Sequence, residues 1–257
     1  VQKFAEQNEI NVKSPEKLNN EKEHKSFKEL SADIAIVVAY GKLIPKNFLN
    51  LTKFGFINIH ASLLPKWRGA APIQRAILNG DKKIGVSLMK IKEKLDSGPV
   101  LSSKELILNP NSTYGEIEQE LSIMGAELLI DNLKSIENGS ANYIEQAHEH
   151  SSYAKKINKN EAKINWNMDA DRVVSQIHGL NPRPGAWFEY EKKRFKVLRV
   201  RKKIVSGKPG LVLDDKLTIG CLKNSIEILE IQREGKNKQN INDFLLGNKI
   251  SKDTILN

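Results

Sequence analysis

The chain has 257 residues, of which 39% are hydrophobic and 28% charged, a composition typical of a globular protein with one large domain or two ordinary ones. No window approaches the roughly 18 consecutive apolar residues of a membrane span, and no signal-peptide pattern opens the chain. The single cysteine, Cys221, excludes a disulfide framework. We therefore expect a cytoplasmic protein that does not bind membranes, with an organelle as the alternative location.

The positive charge is concentrated in the second half of the chain. The formal net charge is +10, and residues 160–257 carry 19 Lys and Arg against 12 Asp and Glu. The excess peaks in "KKRFKVLRVRKK" (192–203), where eight cations are interleaved with apolar residues. A charge run is usually a solvated face, but this spacing predicts a strand with one apolar and one basic face. A basic stripe on a rigid strand is suited to contact a phosphate backbone.

The first half alternates strand and helix patterns. Apolar runs that are typical of strands buried on both faces of a parallel sheet occur at 31–45, 54–60 and 84–91. A short helix is predicted at 71–80. A long amphipathic helix is predicted at 113–139, where Thr113 and Glu116 have the spacing of a capping box. This alternation predicts the α/β class, with a Rossmann-like, mostly parallel sheet.

The pattern changes after about residue 140. Residues 141–159 are polar and aperiodic, which indicates a linker. After a helix at 169–180, short β-type runs separated by turn residues predict a small OB-like β-barrel. We therefore expect a catalytic α/β domain at 1–140 and a C-terminal barrel domain at 160–257.

Three polar side chains follow predicted strands of the sheet. Asn58 and His60 end the second strand and point to the same side, because they are two residues apart. Asp96 lies in the turn after the next strand, so we expect it at the same edge, where ligands of parallel sheets gather. An amide can donate to an oxyanion, an imidazole can carry a proton, and a carboxylate can orient the ring. This set predicts an acyl-transfer site without a metal, although a histidine at a strand end is more often a purely structural group.

The amino-acid sequences of these motifs resemble those of the folate-dependent formyltransferases. The resemblance is carried by "INIHASLLPKWRGAAPIQRAILNG" and "LDSGPVL", and it continues through "VVAYGKLIP", "TYGEIEQEL", "YAKKINKNEAKINW" and "NPRPGAWF". It therefore covers nearly the whole chain. The Asn-x-His and "SLLP" signature occurs in members with different acceptors, whereas "WRGAAPIQ" and the basic barrel favour a member that acts on tRNA.

The resemblance implies a reaction and its catalytic residues. A formyl group would pass from 10-formyltetrahydrofolate to the α-amino group of methionyl initiator tRNA, in translation initiation, on a monomeric enzyme. Asn58 matches the amide that holds the formyl oxygen. His60 matches the imidazole that stabilises the tetrahedral intermediate and moves the proton. Asp96 matches the carboxylate that partners this histidine and helps to place the folate.

The resemblance also implies binding residues. The turn that contacts the folate matches Ser62, Leu63, Leu64 and Pro65, and the pterin pocket would be lined by Tyr40, Gly41 and Leu43. Candidate tRNA contacts are Arg68, Lys192, Lys193, Arg194, Lys196, Arg199 and Arg201. Arg68 could equally bind the folate tail or form a salt bridge within its loop.

Other conspicuous residues receive structural interpretations. Trp67 is expected to pack or to form an edge of the substrate mouth. His148 and His150 have strand-type spacing but no third ligand, so no metal site is expected. His178 is expected to be packed or capping, and Cys221 to be a small buried hydrophobe.

Members of the family begin with roughly fifty more residues than this chain, which starts at Val1 in what looks like the middle of a helix. We therefore expect that the N-terminus of a longer protein is missing from this sequence. Two alternatives stay open. One is a related formyltransferase or hydrolase that acts on a nucleotide sugar or a formyl folate. The other is a catalytically inactive relative that binds tRNA.

Overall fold

The structure, a computed structural model, describes residues 1–256. The first part of the chain contains α1 (Gln2–Gln7), α2 (Glu21–Glu29), β1 (Ala35–Val38), α3 (Lys46–Leu49), β2 (Phe56–His60), β3 (Arg68–Gly69), α4 (Pro72–Asn79), β4 (Lys83–Lys90), β5 (Val100–Ile107) and α5 (Tyr114–Glu137). The second part contains β6 (Tyr153–Ala154), α6 (Ala170–Leu180), β7 (Ala186–Tyr190), β8 (Lys193–Lys203), β9 (Thr218–Gly220), β10 (Ser225–Arg233), β11 (Gln239–Asn240) and α7 (Ile241–Gly247). None of these helices is long and apolar enough to cross a membrane.

The first sheet has the order β1-β2-β4-β5, and its strands run in mixed directions. The α/β class is confirmed, and β1 and β2 are parallel as predicted. The strand expected to be parallel at 84–91 is instead antiparallel to β2, and β5 is antiparallel to β4. The connection 61–82 contains β3 and α4 and enters β4 from the carboxyl end of β2, so that His60 pairs with Ser87 and Ile57 with Lys90.

β1 lies at the edge of this sheet, and its burial alternates along the strand. Ile36 and Val38 are 38% and 59% exposed. The expectation of a strand buried on both faces is therefore wrong for β1, because Ile36 and Val38 line a cavity instead of packing under another element.

α5 covers one face of the sheet, as its amphipathic pattern predicts. Thr113 and Glu116 form both hydrogen bonds of the capping box, and Ile117, Leu121 and Leu128 are buried. Gly125 lies against the sheet, where a Cβ would come within 2.7 Å of Ile59 Cγ2. A glycine here lets the helix approach β2 closely.

The second sheet is antiparallel and curls into a half-barrel, as the spacing of its strands predicts. β8 pairs with β7 and β10, while β9 and β11 both pair with β10. Its core contains Phe188, whose ring centre lies 5.5 Å from that of Phe195 and 6.2 Å from that of Trp166. Cys221 is buried in this core, and burial raises the pKa of its thiol to about 12, so it acts as a small apolar group.

α6 joins the half-barrel to the first sheet by packing on α4. Arg172 donates hydrogen bonds to the carbonyl oxygens of Leu78 and Asn79. Three ion pairs also link the two parts of the chain, Arg75 with Glu161 at 2.6 Å, Arg183 with Glu118 at 3.2 Å, and Arg199 with Glu116 at 2.5 Å.

His178 of α6 is a buried cross-link at this junction, with 1% of its surface exposed. Its Nδ1 donates to the Pro110 carbonyl at 3.2 Å, and its Nε2 accepts from the Val200 N–H at 3.3 Å. Accepting at Nε2 requires a neutral ring. Burial lowers the pKa of His178 from its ordinary value of 6.5, because the charged ring would lose its hydration.

This pKa shift predicts a loss of stability in mild acid. Between the lowered pKa and 6.5 the unfolded chain binds more protons than the folded one. The free energy of unfolding therefore falls as the pH drops through this range, by at most about 1.4 kcal/mol per pH unit from this group. His178→Gln keeps a donor and an acceptor but does not titrate. Urea unfolding between about pH 7.5 and 5.5 should give a smaller decline for this variant. Equal declines for the two proteins would contradict the assignment.

Candidate active site

β2 divides its side chains between the two faces of the first sheet. Ile57 and Ile59 face the side of α5, as the contact of Ile59 with that helix shows. Phe56, Asn58 and His60 therefore share the other face. Asn58 is half-buried and His60 is 6% exposed. The structure thus puts the predicted amide and imidazole on one side of the strand, near its carboxyl end.

The His60 ring is held by a backbone carbonyl. Its Nε2 lies 2.9 Å from the Trp67 oxygen, and because a carbonyl only accepts, Nε2 must carry the proton. Its Nδ1 lies 3.7 Å from Asp96 Oδ2, which is close enough for an ion pair but too long for a hydrogen bond. The ring therefore has one fixed nitrogen and one nitrogen that faces a carboxylate.

Asp96 reaches His60 by a route that differs from the predicted one. Because β4 is antiparallel to β2, it ends at Lys90 beside Ile57, at the start of β2 rather than at its carboxyl end. The loop 91–99 then returns across the sheet. There Asp96 Oδ2 accepts a hydrogen bond from the Gly69 N–H at 2.7 Å. The three predicted residues are thus near one another, although the expected strand direction was wrong.

The turn after β2 is built largely from its own polar contacts. Ser62 is fully buried and donates to the Lys66 carbonyl at 2.6 Å. Ser87 Oγ accepts from the Leu64 N–H at 3.2 Å and donates to the Ser62 carbonyl at 2.7 Å. The Ser62 hydroxyl is therefore used inside the turn, and a folate contact of the turn 62–65 stays a prediction.

The other three turn residues, Leu63, Leu64 and Pro65, are half-buried. Leu63 packs against Gly85 of β4, where a Cβ would come within 2.5 Å of its Cδ2. The turn therefore offers Leu63, Leu64 and Pro65, rather than Ser62, as its partly exposed apolar surface.

The segment after β1 lies at the same end of the sheet as His60, since β1 and β2 are parallel. Tyr40, Gly41 and Leu43 are all exposed, Leu43 by 74%. A cavity of about 520 Å³ runs along β1: its lining includes Tyr40 and Phe56, and also Ile36 and Val38 from the opposite face of the strand. Asn58, His60, Asp96, Gly41 and Leu43 are not among its lining residues.

Arg68 does not occupy the position of a surface phosphate contact. It is 3% exposed, and its Nε and Nη2 donate to Gln146 Oε1 at 3.1 and 2.6 Å. Its Nη2 also donates to His148 Nδ1 at 2.9 Å. The prediction that Arg68 binds tRNA is therefore corrected: its guanidinium holds residues of the predicted linker.

Several cations of the basic run are already paired in the folded chain. Arg199 pairs with Glu116, Arg201 with Glu227 at 2.8 Å, and Arg194 lies 3.9 Å above the centre of the Trp187 ring. Within the part of the chain that the structure describes, Lys192, Lys193 and Lys196 form no ion pair. Phe195 and Val197, which alternate with Arg194 and Lys196 along the strand, are buried, as the pattern predicts.

The other histidines show no sign of metal chemistry. His148 is a partner of Arg68, and His150 is exposed beside Glu149. Among residues 1–256, no group of three or more His, Cys, Asp or Glu side chains could hold a metal ion.

The sequence did not point to the Trp67 carbonyl, Gln146, Ser87 or Ser152 as parts of the site. Trp67 was expected to pack or to form an edge of the substrate mouth; in the structure its carbonyl binds His60 and its Nε1 donates to Asp81 at 2.8 Å. Ser152 Oγ accepts from the Trp67 N–H at 2.9 Å. No local sequence pattern marks these contacts, because several of them join residues about 80 positions apart.

Solved structures of similar fold share this arrangement of two units. HypX from Aquifex aeolicus, solved with tetrahydrofolic acid, superposes with a TM-score of 0.69 at 19% identity, covering 90% of this chain and 44% of that one. An N-formyltransferase from Helicobacter canadensis, solved with folinic acid and dTDP-3-aminofucose, superposes with a TM-score of 0.68 at 20% identity, covering 90% and 81%. At these identities they show the fold alone.

Closer similarity comes from sequence. A family model described as formyl transferase matches residues 1–133, and one described as formyl transferase, C-terminal domain, matches residues 156–249. The methionyl-tRNA formyltransferase of Pelagibacter ubique is 46% identical over 254 residues, which cover 98% of this chain and 82% of that protein. The chain is therefore a formyl transferase and belongs to the family of methionyl-tRNA formyltransferases.

Proposed function

We propose that the chain transfers a formyl group from 10-formyltetrahydrofolate to the α-amino group of methionyl initiator tRNA, with Asn58, His60 and Asp96 as the catalytic residues. The observation that carries the proposal is the His60 ring, held at Nε2 by the Trp67 carbonyl with its Nδ1 3.7 Å from Asp96. The names of the relatives support the acceptor. The tetrahydrofolate in HypX supports the donor class.

The chemistry needs one oxyanion donor and one proton carrier. The amine nitrogen attacks the formyl carbon, and the formyl oxygen takes the negative charge. The Asn58 amide is suited to donate to that oxygen. His60 Nδ1 is the ring nitrogen without a hydrogen bond, so it takes the proton that the amine loses. That proton then passes to the folate N10 as the bond from N10 to the formyl carbon breaks.

Asp96 has an electrostatic role in this scheme. Its carboxylate is fixed by the Gly69 N–H and stands opposite Nδ1 of His60. When the ring accepts a proton at Nδ1, its positive charge is formed beside a negative one. The carboxylate therefore stabilises the imidazolium and keeps the ring in place.

The folate would bind at the carboxyl ends of β1 and β2. Tyr40, Gly41 and Leu43 offer exposed surface after β1, and Leu64 and Pro65 offer partly exposed apolar surface after β2. The cavity along β1 includes Tyr40 and Phe56 in its lining. These positions support a wall for the pterin, with Ser62 holding the turn from inside.

The proposed enzyme has two domains joined by a linker. The catalytic domain would span 1–140, the linker 141–159 and the C-terminal domain 160–257, a division supported by the two matches at 1–133 and 156–249. A monomer that acts in the cytoplasm is sufficient for this reaction.

The tRNA would lie across β8 of the half-barrel. Lys192, just before this strand, and Lys193 and Lys196 within it form no ion pair with a carboxylate in residues 1–256, so they are available to phosphates. Arg194 is exposed as well, above Trp187. Arg199 and Arg201 would first have to leave Glu116 and Glu227, which makes them weaker candidates.

A nucleotide-sugar acceptor is not favoured. The N-formyltransferase that was solved with a dTDP sugar is 20% identical to this chain, against 46% for a methionyl-tRNA formyltransferase. An inactive tRNA-binding relative is not favoured either, since the chain keeps His60 buried between two polar partners.

Removing the catalytic side chains should slow the transfer step. His60→Ala should lower kcat by about 10²–10⁴-fold, because the proton carrier is lost. Asn58→Ala should lower it by about 10²–10³-fold through loss of an oxyanion donor. Single-turnover formyl transfer to methionyl initiator tRNA measures both effects. Ile130→Ala is the control, because that side chain is 67% exposed on α5, which packs on the opposite face of the sheet from His60. A His60→Ala protein that keeps the rate of the control would exclude the assignment.

Phosphate contacts on β8 should make tRNA binding depend on salt. The slope of log affinity against log salt should fall by about 1 for each phosphate contact that is removed. The test variant carries Ala at Lys192, Lys193 and Lys196. The control variant carries Ala at the exposed α2 residues Lys22, Lys25 and Lys28. Filter binding over a salt series should show a shallower slope for the β8 variant alone. Matching slopes for the two variants would mean that net charge, not contact, sets the affinity.

A further inference from the structure

Gln146 lies in the predicted linker, but it is 8% exposed and all its hydrogen bonds reach the surroundings of the site. Its Oε1 accepts from Nε and Nη2 of Arg68. Its Nε2 donates to the Asp96 carbonyl at 3.0 Å and to the Gly98 carbonyl at 2.6 Å. Arginine only donates and a carbonyl only accepts, so this orientation of the amide is the one that satisfies every partner.

The loop that Gln146 holds has an unusual backbone. Asp96 has a φ of 44°, a region that residues other than glycine rarely adopt. Two residues later, a Cβ on Gly98 would lie 1.8 Å from the Lys90 carbonyl, so the chain passes there at close range. Such a conformation persists where surrounding contacts determine it. The two Gln146 donors are contacts of this kind, on both sides of Ser97.

Two consecutive residues, Arg68 and Gly69, hold Asp96 by its backbone and by its carboxylate. The Gly69 N–H binds the Asp96 carboxylate at 2.7 Å, while Arg68 binds Gln146, which binds the Asp96 backbone. Among the described residues, no carboxylate lies within 4.0 Å of the buried Arg68 guanidinium. The positive charge therefore acts on the Gln146 amide, where it polarises the group and strengthens its donation to the two carbonyls.

We propose that Gln146 is a positioning residue for catalysis, which holds the Asp96 loop so that the carboxylate faces Nδ1 of His60, with Arg68 as its anchor. The inference rests on the proposed function, in which Asp96 stabilises the His60 imidazolium. Gln146 touches no reacting atom. It acts through the backbone of Asp96, so its effect depends on the Asp96 carboxylate.

The decisive variant is Gln146→Glu. A carboxylate still accepts from Arg68, so the variant keeps its anchor and its fold. It has no donor, however, and it sets negative oxygen against the Asp96 and Gly98 carbonyls. We expect kcat to fall by about 10- to 100-fold, the range for residues that orient catalytic ligands, with KM for both substrates unchanged. Gln146→Met, which removes both sets of hydrogen bonds at similar volume, should lower kcat in the same range.

A comparison of kcat for Gln146→Glu with and without Asp96→Asn distinguishes a positioning role from a general structural effect. In an Asp96→Asn background, Gln146→Glu should change kcat by no more than about twofold, because the group it positions is already lost. His148→Ala is the matched control: it removes the other acceptor of Arg68 without touching the Asp96 loop, so kcat should stay within about twofold of the unmodified chain. An equal loss of kcat from Gln146→Glu in both backgrounds would overturn the inference, as would no loss in either.

Hydrogen exchange of the Gly69 amide gives a readout that does not depend on catalysis. This N–H is bound to the Asp96 carboxylate, so its exchange should be about tenfold or more faster in Gln146→Glu and unchanged in His148→Ala. If exchange accelerates as expected while Asp96→Asn alone leaves kcat unchanged, the positioning contact stands and the catalytic role of Asp96 fails. Unchanged exchange in Gln146→Glu would overturn the positioning role itself.

Discussion

The hydrogen bond from Nε2 of His60 to the Trp67 carbonyl is the contact on which this site depends. A carbonyl cannot donate, so the bond fixes which ring nitrogen carries the proton, and it also fixes the plane of the ring. Because His60 is 6% exposed, water does not compete for this position. In the proposed mechanism the other nitrogen, Nδ1, exchanges a proton in front of Asp96.

This contact makes the catalytic histidine dependent on the linker. Trp67 has a φ of 59°, and its N–H donates to Ser152 Oγ at 2.9 Å. The next residue, Arg68, donates its N–H to the Ser152 carbonyl, and Gln146 ties its guanidinium to the Asp96 loop. Gln146 and Ser152 therefore bring the loops after β2 and β4 together. Two residues of the predicted linker thus contribute contacts to the surroundings of the proposed site.

Local patterns were sufficient to predict part of this architecture. The alternation along β2 predicts that Asn58 and His60 share a face, and the spacing of Thr113 and Glu116 predicts the start of α5. The direction of β4 and the burial of Ser62 were beyond such patterns, because they depend on contacts made after the chain folds back. The position of Gln146 could not be predicted from local patterns for the same reason, because its partner Arg68 is 78 residues away in sequence. The strand pattern also predicted that Asp96 lies near His60, but it assumed a parallel β4, and the structure brings Asp96 there by a different route.

A crystal structure of the chain with a stable formylated tetrahydrofolate tests the central claim most directly. The account predicts that the formyl oxygen lies about 3 Å from the Asn58 amide nitrogen. It also predicts that the formyl carbon faces His60 Nδ1, with the His60–Trp67 hydrogen bond intact. The account would be contradicted by a formyl group bound away from these side chains. It would also be contradicted by a His60 ring whose Nε2 has turned from the Trp67 carbonyl to the ligand.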